Sequence, residues 1–140
     1  MDAIEILRPA VVLGGWTLVM LLWMYLTRFP ALAKAGIEPQ AAQDTTRLRE
    51  LLPHDVQRVA NNYNHLFEQP TLFYAMAVII VLLGHVDAFH VQCAWAFVLL
   101  RIVHSCVQAT VDIVVARFAI FSLSWLALGI MIVREVLAVF

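Results

Sequence analysis

Charged residues are scarce in this chain of 140 residues: 14% are Asp, Glu, Lys or Arg, and the formal net charge is −1. The few basic residues are scattered along the sequence rather than gathered in one region. A protein that binds nucleic acid needs a basic patch or stripe to neutralise phosphates. The composition therefore gives no indication of nucleic-acid binding, and no nucleic-acid partner is predicted.

Cysteine is rare as well. Cys93 and Cys106 are the two cysteines of the chain, and on one helix they would be about 20 Å apart at a rise of 1.5 Å per residue. That separation is beyond the reach of a disulfide. Free thiols are ordinary small buried residues, so the cysteines indicate no redox compartment. Internal repeats, a glycine-rich phosphate loop and a Cys/His metal spacing are also missing, and no metal is predicted.

Apolar residues, by contrast, make up 63% of the chain, whereas about half is usual in soluble domains. A soluble domain of this size cannot hide so much apolar surface. We therefore expect an integral membrane protein with a single domain over residues 1–140. The first apolar run is interpreted as a transmembrane helix rather than a signal peptide, because Asp2 and Glu5 precede it and Pro30 is expected to break the chain just beyond it.

Four transmembrane helices are predicted, at about residues 3–28, 54–83, 88–110 and 117–139, and they define an all-α four-helix bundle. Pro70 is expected to kink the second helix, because it removes the amide that would bond to the carbonyl of Leu66. Gly84 is expected to end that helix. The connection at residues 29–53 is the longest, and we expect it to be polar, to contain one short surface helix at residues 40–52 and to cover a site.

Basic residues are distributed unevenly between the connections. Lys34, Arg47 and Arg49 lie between the first two helices, and the turn between the second and third helices has neither lysine nor arginine. The turn after the third helix leads to Arg117. The positive-inside rule therefore places the first and third connections in the cytoplasm and both termini outside.

The third helix carries the most informative pattern of the sequence. Arg101, His104, Gln108 and Asp112 follow one another at steps of three, four and four residues, so they share one helix face. An arginine this deep in an apolar helix is costly unless it faces a bundle interior or water. The alternative is that Arg101 lies near the helix end and extends to the lipid headgroups.

The second helix has a polar face of its own, formed by Asn61, Asn64 and Glu68. Glu68 and Arg101 are predicted to form a buried ion pair, which serves either a site or the contact between two helices. Polar parts of three helices meet at the predicted cytoplasmic end of the bundle. We therefore expect these side chains at one depth: Asn64, Glu68, Arg101, His104, Gln108 and Arg117.

Arginine is suited to the forked recognition of carboxylates. Arg101 and Arg117, together with Asn64, are therefore predicted to hold a small anionic ligand that has carboxyl and amide groups. An arginine beside a bound thiol favours the reactive thiolate. His104 is either a structural histidine, which is the commoner case, or a proton carrier.

Three runs of the sequence carry a resemblance to a known family: RVANNYNHLFEQPTLFYA, AWAFVLLRIVHSCVQAT and ARFAIFSLSWLALGIMIVRE. They resemble the MAPEG family, the membrane-associated proteins of eicosanoid and glutathione metabolism, in particular a bacterial branch. The similarity covers about residues 58–135. It implies four-helix subunits assembled as a homotrimer in a bacterial inner membrane, with glutathione bound between neighbouring subunits near the cytoplasmic face.

The resemblance also implies roles for individual residues. By motif position, Arg117 matches the arginine that supports the thiolate. Residues on three helices match the positions around bound glutathione: Arg28, Asn64, Glu68, Arg101, His104 and Gln108. The chain departs from the family pattern at three points. First, Asn64 and Glu68 are four residues apart rather than three, so that Phe67 stands where the family usually has the glutamate. Second, Gln108 stands where the family commonly has a tyrosine. Third, Phe118 stands where the family can have a serine.

Two functions from different classes remain open. The first is a glutathione-dependent membrane transferase or peroxidase that acts on apolar electrophiles, which the converging basic and amide groups favour. The second is a non-catalytic lipid- or ligand-binding membrane protein of the same fold, which the missing tyrosine favours. A drug exporter that uses Glu68 as a proton-coupled carboxylate is a third alternative, but it does not need the polar face of the third helix.

Overall fold

The computed structural model describes residues 2–38, 40, 48 and 50–140, and this part of the chain is helical without any strand. The helices with described bounds are α1 (Ala3–Lys34), α2 (His54–His65), α3 (Gln69–Leu83), α4 (Ala88–Ala109) and α5 (Val114–Val139). Since α2 and α3 follow each other in one long segment, the described residues contain four segments long and apolar enough to cross a membrane. The predicted all-α membrane architecture is confirmed.

Burial differs between these segments and places α4 at the centre of the bundle. In the most apolar window of α4, 44% of the residues are buried inside the subunit, against 17% for both α1 and α5. Leu13 and Met20 of α1 share one buried apolar cluster with Phe73 of α3 and Phe97 of α4. The rings of Phe73 and Phe97 stack with their centroids 4.5 Å apart. Thus α1 and α5 turn most of their apolar surface outward.

The first helix is longer than predicted. It ends at Lys34 rather than at residue 28, and Pro30 lies inside it. A proline removes a single helical hydrogen bond, and membrane helices tolerate that loss. The helical bonds resume at once, since the amide of Ala35 donates to the carbonyl of Ala31 over 3.0 Å. The prediction that Pro30 breaks the chain is wrong.

The predicted surface helix at residues 40–52 falls mostly outside the described residues. Of that stretch, Leu48 and Leu52 are buried and form a small apolar cluster with Leu32 at the end of α1 and Val56 in α2. This cluster fixes the start of α2 against α1, at the same end of the bundle as the polar part of α2.

The second predicted helix is divided into α2 and α3 rather than kinked. Residues 66–68 form a turn between the two helices, and Glu68 has φ −92° and ψ −98°, outside the helical range. Pro70 lies in the first turn of α3, where its missing amide breaks no helical hydrogen bond. The prediction of a continuous helix is wrong for that reason. Gly84 ends α3 as predicted, with φ 72°.

Polar side chains also join the helices at the other end of the bundle. Asp87 caps the start of α4, where its carboxylate accepts from the amide of His90 over 2.7 Å. Arg134 of α5 pairs with the same carboxylate. His85 lies 2.9 Å from Glu135, which is buried on α5. These contacts fix the turn between α3 and α4 to the end of α5.

Candidate functional site

Arg101 lies in the middle of α4 and is fully buried, with 0% of its surface exposed. Its Nη2 donates to the carbonyl of His65 over 3.0 Å, and its Nη1 donates to Oε1 of Gln69 over 3.3 Å. The guanidinium also faces the ring of Phe121 at 5.8 Å from the centroid, which is within cation–π range. Arg101 therefore does not extend to the headgroups; it ties α4 to the turn between α2 and α3.

The predicted ion pair between Glu68 and Arg101 is wrong. The side chain of Glu68 is 61% exposed, and its Oε2 lies 2.8 Å from Nδ1 of His65. The next residue, Gln69, takes the buried place, and its amide oxygen is also 3.0 Å from the hydroxyl of Ser124. Because the chain leaves the helix at residues 66–68, helical spacing does not predict which side chain turns inward. Sequence reasoning missed Gln69, since an amide is a weaker signal than the carboxylate beside it.

The polar face of α4 is buried within a single subunit. Arg101, His104 and Gln108 are all 3% exposed or less, because the start of α5 and the turn after α2 cover this face. The polar residues predicted on the second helix are different, since both Asn64 at the end of α2 and Glu68 in the turn after it are exposed.

A cavity of about 340 Å³ lies between α2, the end of α4 and the start of α5. Charged and amide side chains line this polar cavity: Arg58, Asn61, Asn64, His65, Glu68, Gln108, Asp112 and Arg117. Four predicted site residues therefore meet here. The volume is within the roughly 300–1,000 Å³ that is usual for small-molecule sites. Oε1 of Gln108 is buried and has no hydrogen-bond partner among the described residues, so it is available to a ligand.

A second cavity of about 230 Å³ adjoins the first. Mostly apolar and aromatic groups line this apolar cavity: His65, His104, Val114, Arg117, Phe118 and Phe121. At the mouth of this apolar cavity, Val114 and Phe118 lie one helical turn apart at the start of α5. Each of these residues is 70% exposed. His65 and Arg117 line both cavities, so a ligand in the polar cavity and one in the apolar cavity would both lie against Arg117.

Arg117 lies in the first turn of α5, because this helix begins at Val114 instead of at residue 117. Its Nη1 donates to Oδ1 of Asp112 over 2.5 Å, and the two side chains are 25% and 16% exposed. Its Nε is buried and makes no hydrogen bond in the described part of the chain. The Asp112 carboxylate thus holds one end of the guanidinium, and the buried Nε is left without an acceptor among the described residues.

Two predicted residues lie outside both cavities. Arg101 lies beneath them and lines neither. Arg28 lines a smaller cavity of about 110 Å³ together with Asn61 and Asn64. Because these two asparagines also line the polar cavity, Arg28 is near one edge of the site rather than at its centre. Sequence reasoning missed Arg58, which enters the cavity one helical turn before Asn61.

The fold and these cavities define a class of protein. It is a helical membrane protein whose described residues contain four candidate spans. A polar cavity lies at one end of its bundle, and an apolar cavity adjoins it. The family model of the MAPEG family matches residues 6–137. The chain therefore belongs to the MAPEG family, and the resemblance found in the sequence is confirmed. No curated protein and no solved structure matched the chain.

Proposed function

We propose that this protein is a glutathione-dependent membrane transferase or peroxidase that acts on apolar electrophiles. The observation that supports this proposal best is the position of Arg117, which lines the polar and the apolar cavity at once. A polar thiol in the first cavity and an apolar electrophile in the second would meet at its guanidinium.

The lining of the polar cavity suits the chemical groups of glutathione. This peptide carries two carboxylates, one ammonium, two amides and a thiol. Arg58 offers a guanidinium group to a carboxylate, and Glu68 offers a carboxylate to the ammonium. Asn64 and Gln108 offer amide groups to the peptide bonds. Arg28 extends this set from the edge, beside Asn64.

Arg101 and His104 have supporting roles in the proposal. Arg101 contacts the carbonyl of His65 and so holds in place the end of α2, from which the glutathione contacts project. His104 lines the apolar cavity, and its Nδ1 is buried without a hydrogen-bond partner among the residues that the structure describes. This nitrogen is available to a group that enters the cavity.

The role proposed for Arg117 is electrostatic. A cation near the sulfur favours the thiolate over the thiol, and the thiol proton leaves to solvent. In the transferase reaction the thiolate attacks an electrophilic carbon; a carbon–sulfur bond forms and the leaving group departs with the bonding electrons. With a hydroperoxide, attack on oxygen breaks the O–O bond and gives an alcohol and a sulfenic acid, which a second thiol converts to a disulfide and water.

We propose further that three copies assemble as a homotrimer and complete one another's sites. Asn64 and Glu68 are exposed on a single subunit, and polar groups at membrane depth are costly against lipid. A closed cyclic assembly would cover them without leaving an open interface. The proposed orientation places the termini outside and the polar cavity at the cytoplasmic end of a bacterial inner membrane. Glutathione then enters from the cytoplasm, and the electrophile enters from the lipid.

Conjugation of an aryl halide by the purified protein tests the proposal. Arg117→Ala should lower kcat/KM by about 100-fold, which is typical when one electrostatic group of an active site is removed. Arg8→Ala is the matched control, since Arg8 lies near the start of α1, at the opposite end from Arg28, with a side chain 57% exposed; the activity of this variant should equal that of the wild type.

One outcome would contradict catalysis. If the wild type turned over neither halides nor hydroperoxides, and calorimetry detected binding of a lipid but no binding of glutathione, the non-catalytic ligand-binding function would replace the proposal. Gln108 in the place of the family's common tyrosine favours that second function.

A further inference from the structure

Asp112 connects α4 to α5 with an unusual backbone conformation. Its φ of 53° is the one positive φ at a residue other than glycine within the described ranges. Its amide donates to the carbonyl of Val107 over 2.8 Å and so closes the end of α4. Glycine is favoured in this left-handed conformation, and asparagine follows it. Aspartate also tolerates this conformation, so Asp112 can close the end of α4 and keep a carboxylate at the turn.

The carboxylate of Asp112 contacts two cationic or potentially cationic groups from different elements. Its Oδ1 accepts from Nη1 of Arg117 over 2.5 Å, and its Oδ2 lies 3.7 Å from Nε2 of His54 at the start of α2. The side chains of Asp112 and Arg117 are 16% and 25% exposed, so water screens their contact little, whereas the His54 side chain is 77% exposed. The start of α2, the turn after α4 and the first turn of α5 are thus joined at one carboxylate.

We infer that Asp112 is a positioning residue that holds the Arg117 guanidinium between the polar and the apolar cavity and limits the stabilisation that this cation gives to a bound thiolate. The inference rests on the proposed function. It depends on charge and geometry: one carboxylate against the guanidinium offsets part of the positive potential at the cavity. It also fixes one end of the guanidinium at Nη1, while the buried Nε has no partner in the described structure.

The positioning part is tested without glutathione. An arginine-specific dicarbonyl reagent is applied to the purified wild type and to Asp112→Gly and Asp112→Asn, and modification of Arg117 is followed by mass spectrometry. The glycine variant removes the carboxylate but suits the left-handed backbone, so the fold is retained. We expect Arg117 to react several-fold faster in Asp112→Gly than in the wild type.

The matched control for labelling is Asp55→Asn, which removes a carboxylate exposed on α2 that lines a different cavity. Its Arg117 should react at the wild-type rate. Equal rates in the wild type and in Asp112→Gly would overturn the positioning role, whatever the protein does with glutathione.

The charge part is tested by the pH dependence of glutathione turnover. Asp112→Asn keeps an oxygen that can accept from Arg117 and suits the backbone, but it removes the negative charge. At saturating glutathione, the acidic limb of the kcat profile, which reports groups in the bound complex, should therefore move to lower pH by about one unit, the lower end of the effect of a neighbouring charge. A merely structural disturbance would lower the rate at every pH and leave the limb where it is.

The outcomes of the two experiments separate the two claims. An unmoved acidic limb in Asp112→Asn, with turnover intact, would overturn the charge effect. If the wild type bound no glutathione, the proposed function would fail and the charge effect would fail with it, while the labelling rates would still decide whether Asp112 positions Arg117.

Discussion

At the scale of single residues, Arg101 is a buried cation whose hydrogen-bond acceptors are a backbone carbonyl and an amide oxygen instead of a carboxylate. Both acceptors come from the turn between α2 and α3, where the chain leaves helical geometry. Removal of one partner leaves the other buried and unpaired, which costs more than the contact contributes. The three groups therefore depend on one another.

Arg101→Gln should lower the free energy of unfolding by about 2 kcal/mol. Each buried group left without a partner costs about 1–3 kcal/mol, and the removal of a buried charge offsets part of that loss. Denaturant unfolding in detergent measures the change, with Arg8→Gln as the exposed control. Unchanged stability of Arg101→Gln together with lost glutathione binding would contradict the supporting role and indicate direct contact with the ligand.

At the scale of helices, the sequence predicted some boundaries and missed others for identifiable reasons. The start of α4 at Ala88 and the end of α3 at Gly84 were predictable, because a capping aspartate and a left-handed glycine are local signals. Pro30 was misleading because a membrane helix tolerates the single bond that proline removes. The division of the second predicted helix before Pro70 was missed, since the contact of Arg101 with the carbonyl of His65 is a tertiary interaction that no local pattern contains.

The cap of α4 gives a prediction about pH. The pKa of Asp87 is lowered, first by the hydrogen bond from the amide of His90 and then by the charges of His90 and Arg134. Asp87→Ala should lower the free energy of unfolding by about 1 kcal/mol at neutral pH, the usual loss for a helix cap. Asp87→Asn keeps a capping oxygen and loses only the charge, so it should destabilise less.

The sign of the pH effect follows from the lowered pKa. The charge of Asp87 stabilises the fold above its unfolded pKa of about 3.9, and this stabilisation is lost as the pH falls through the lower folded value. The difference between wild type and Asp87→Asn should therefore be constant near neutral pH and disappear in acid. Thermal midpoints measured from pH 7 downward check this, and a difference that grew in acid would contradict it.

At the scale of the whole molecule, the meeting of Asn64, Glu68, Gln108 and Arg117 in one cavity was predictable. Antiparallel helices joined by short turns bring the end of one span beside the start of the next, so polar residues at matching ends converge. The elements that cover the α4 polar face were not predictable, because the cover depends on how closely α5 packs. The contact of Asp112 with Arg117 was missed as well, since it crosses a left-handed turn where helical spacing does not apply.

The exposed residues Asn64, at the end of α2, and Glu68, in the turn after it, give the prediction about assembly. If neighbouring subunits cover Asn64 and Glu68, native mass spectrometry of the detergent complex should detect three copies. Glu68→Ala should weaken the assembly, and a loss of about 1.4 kcal/mol would raise its dissociation constant tenfold. Glu38→Ala removes an exposed carboxylate just beyond α1 and should leave the trimer intact. A stable monomer that still binds glutathione would contradict a site shared between subunits, because one subunit alone would then supply every contact that the ligand needs.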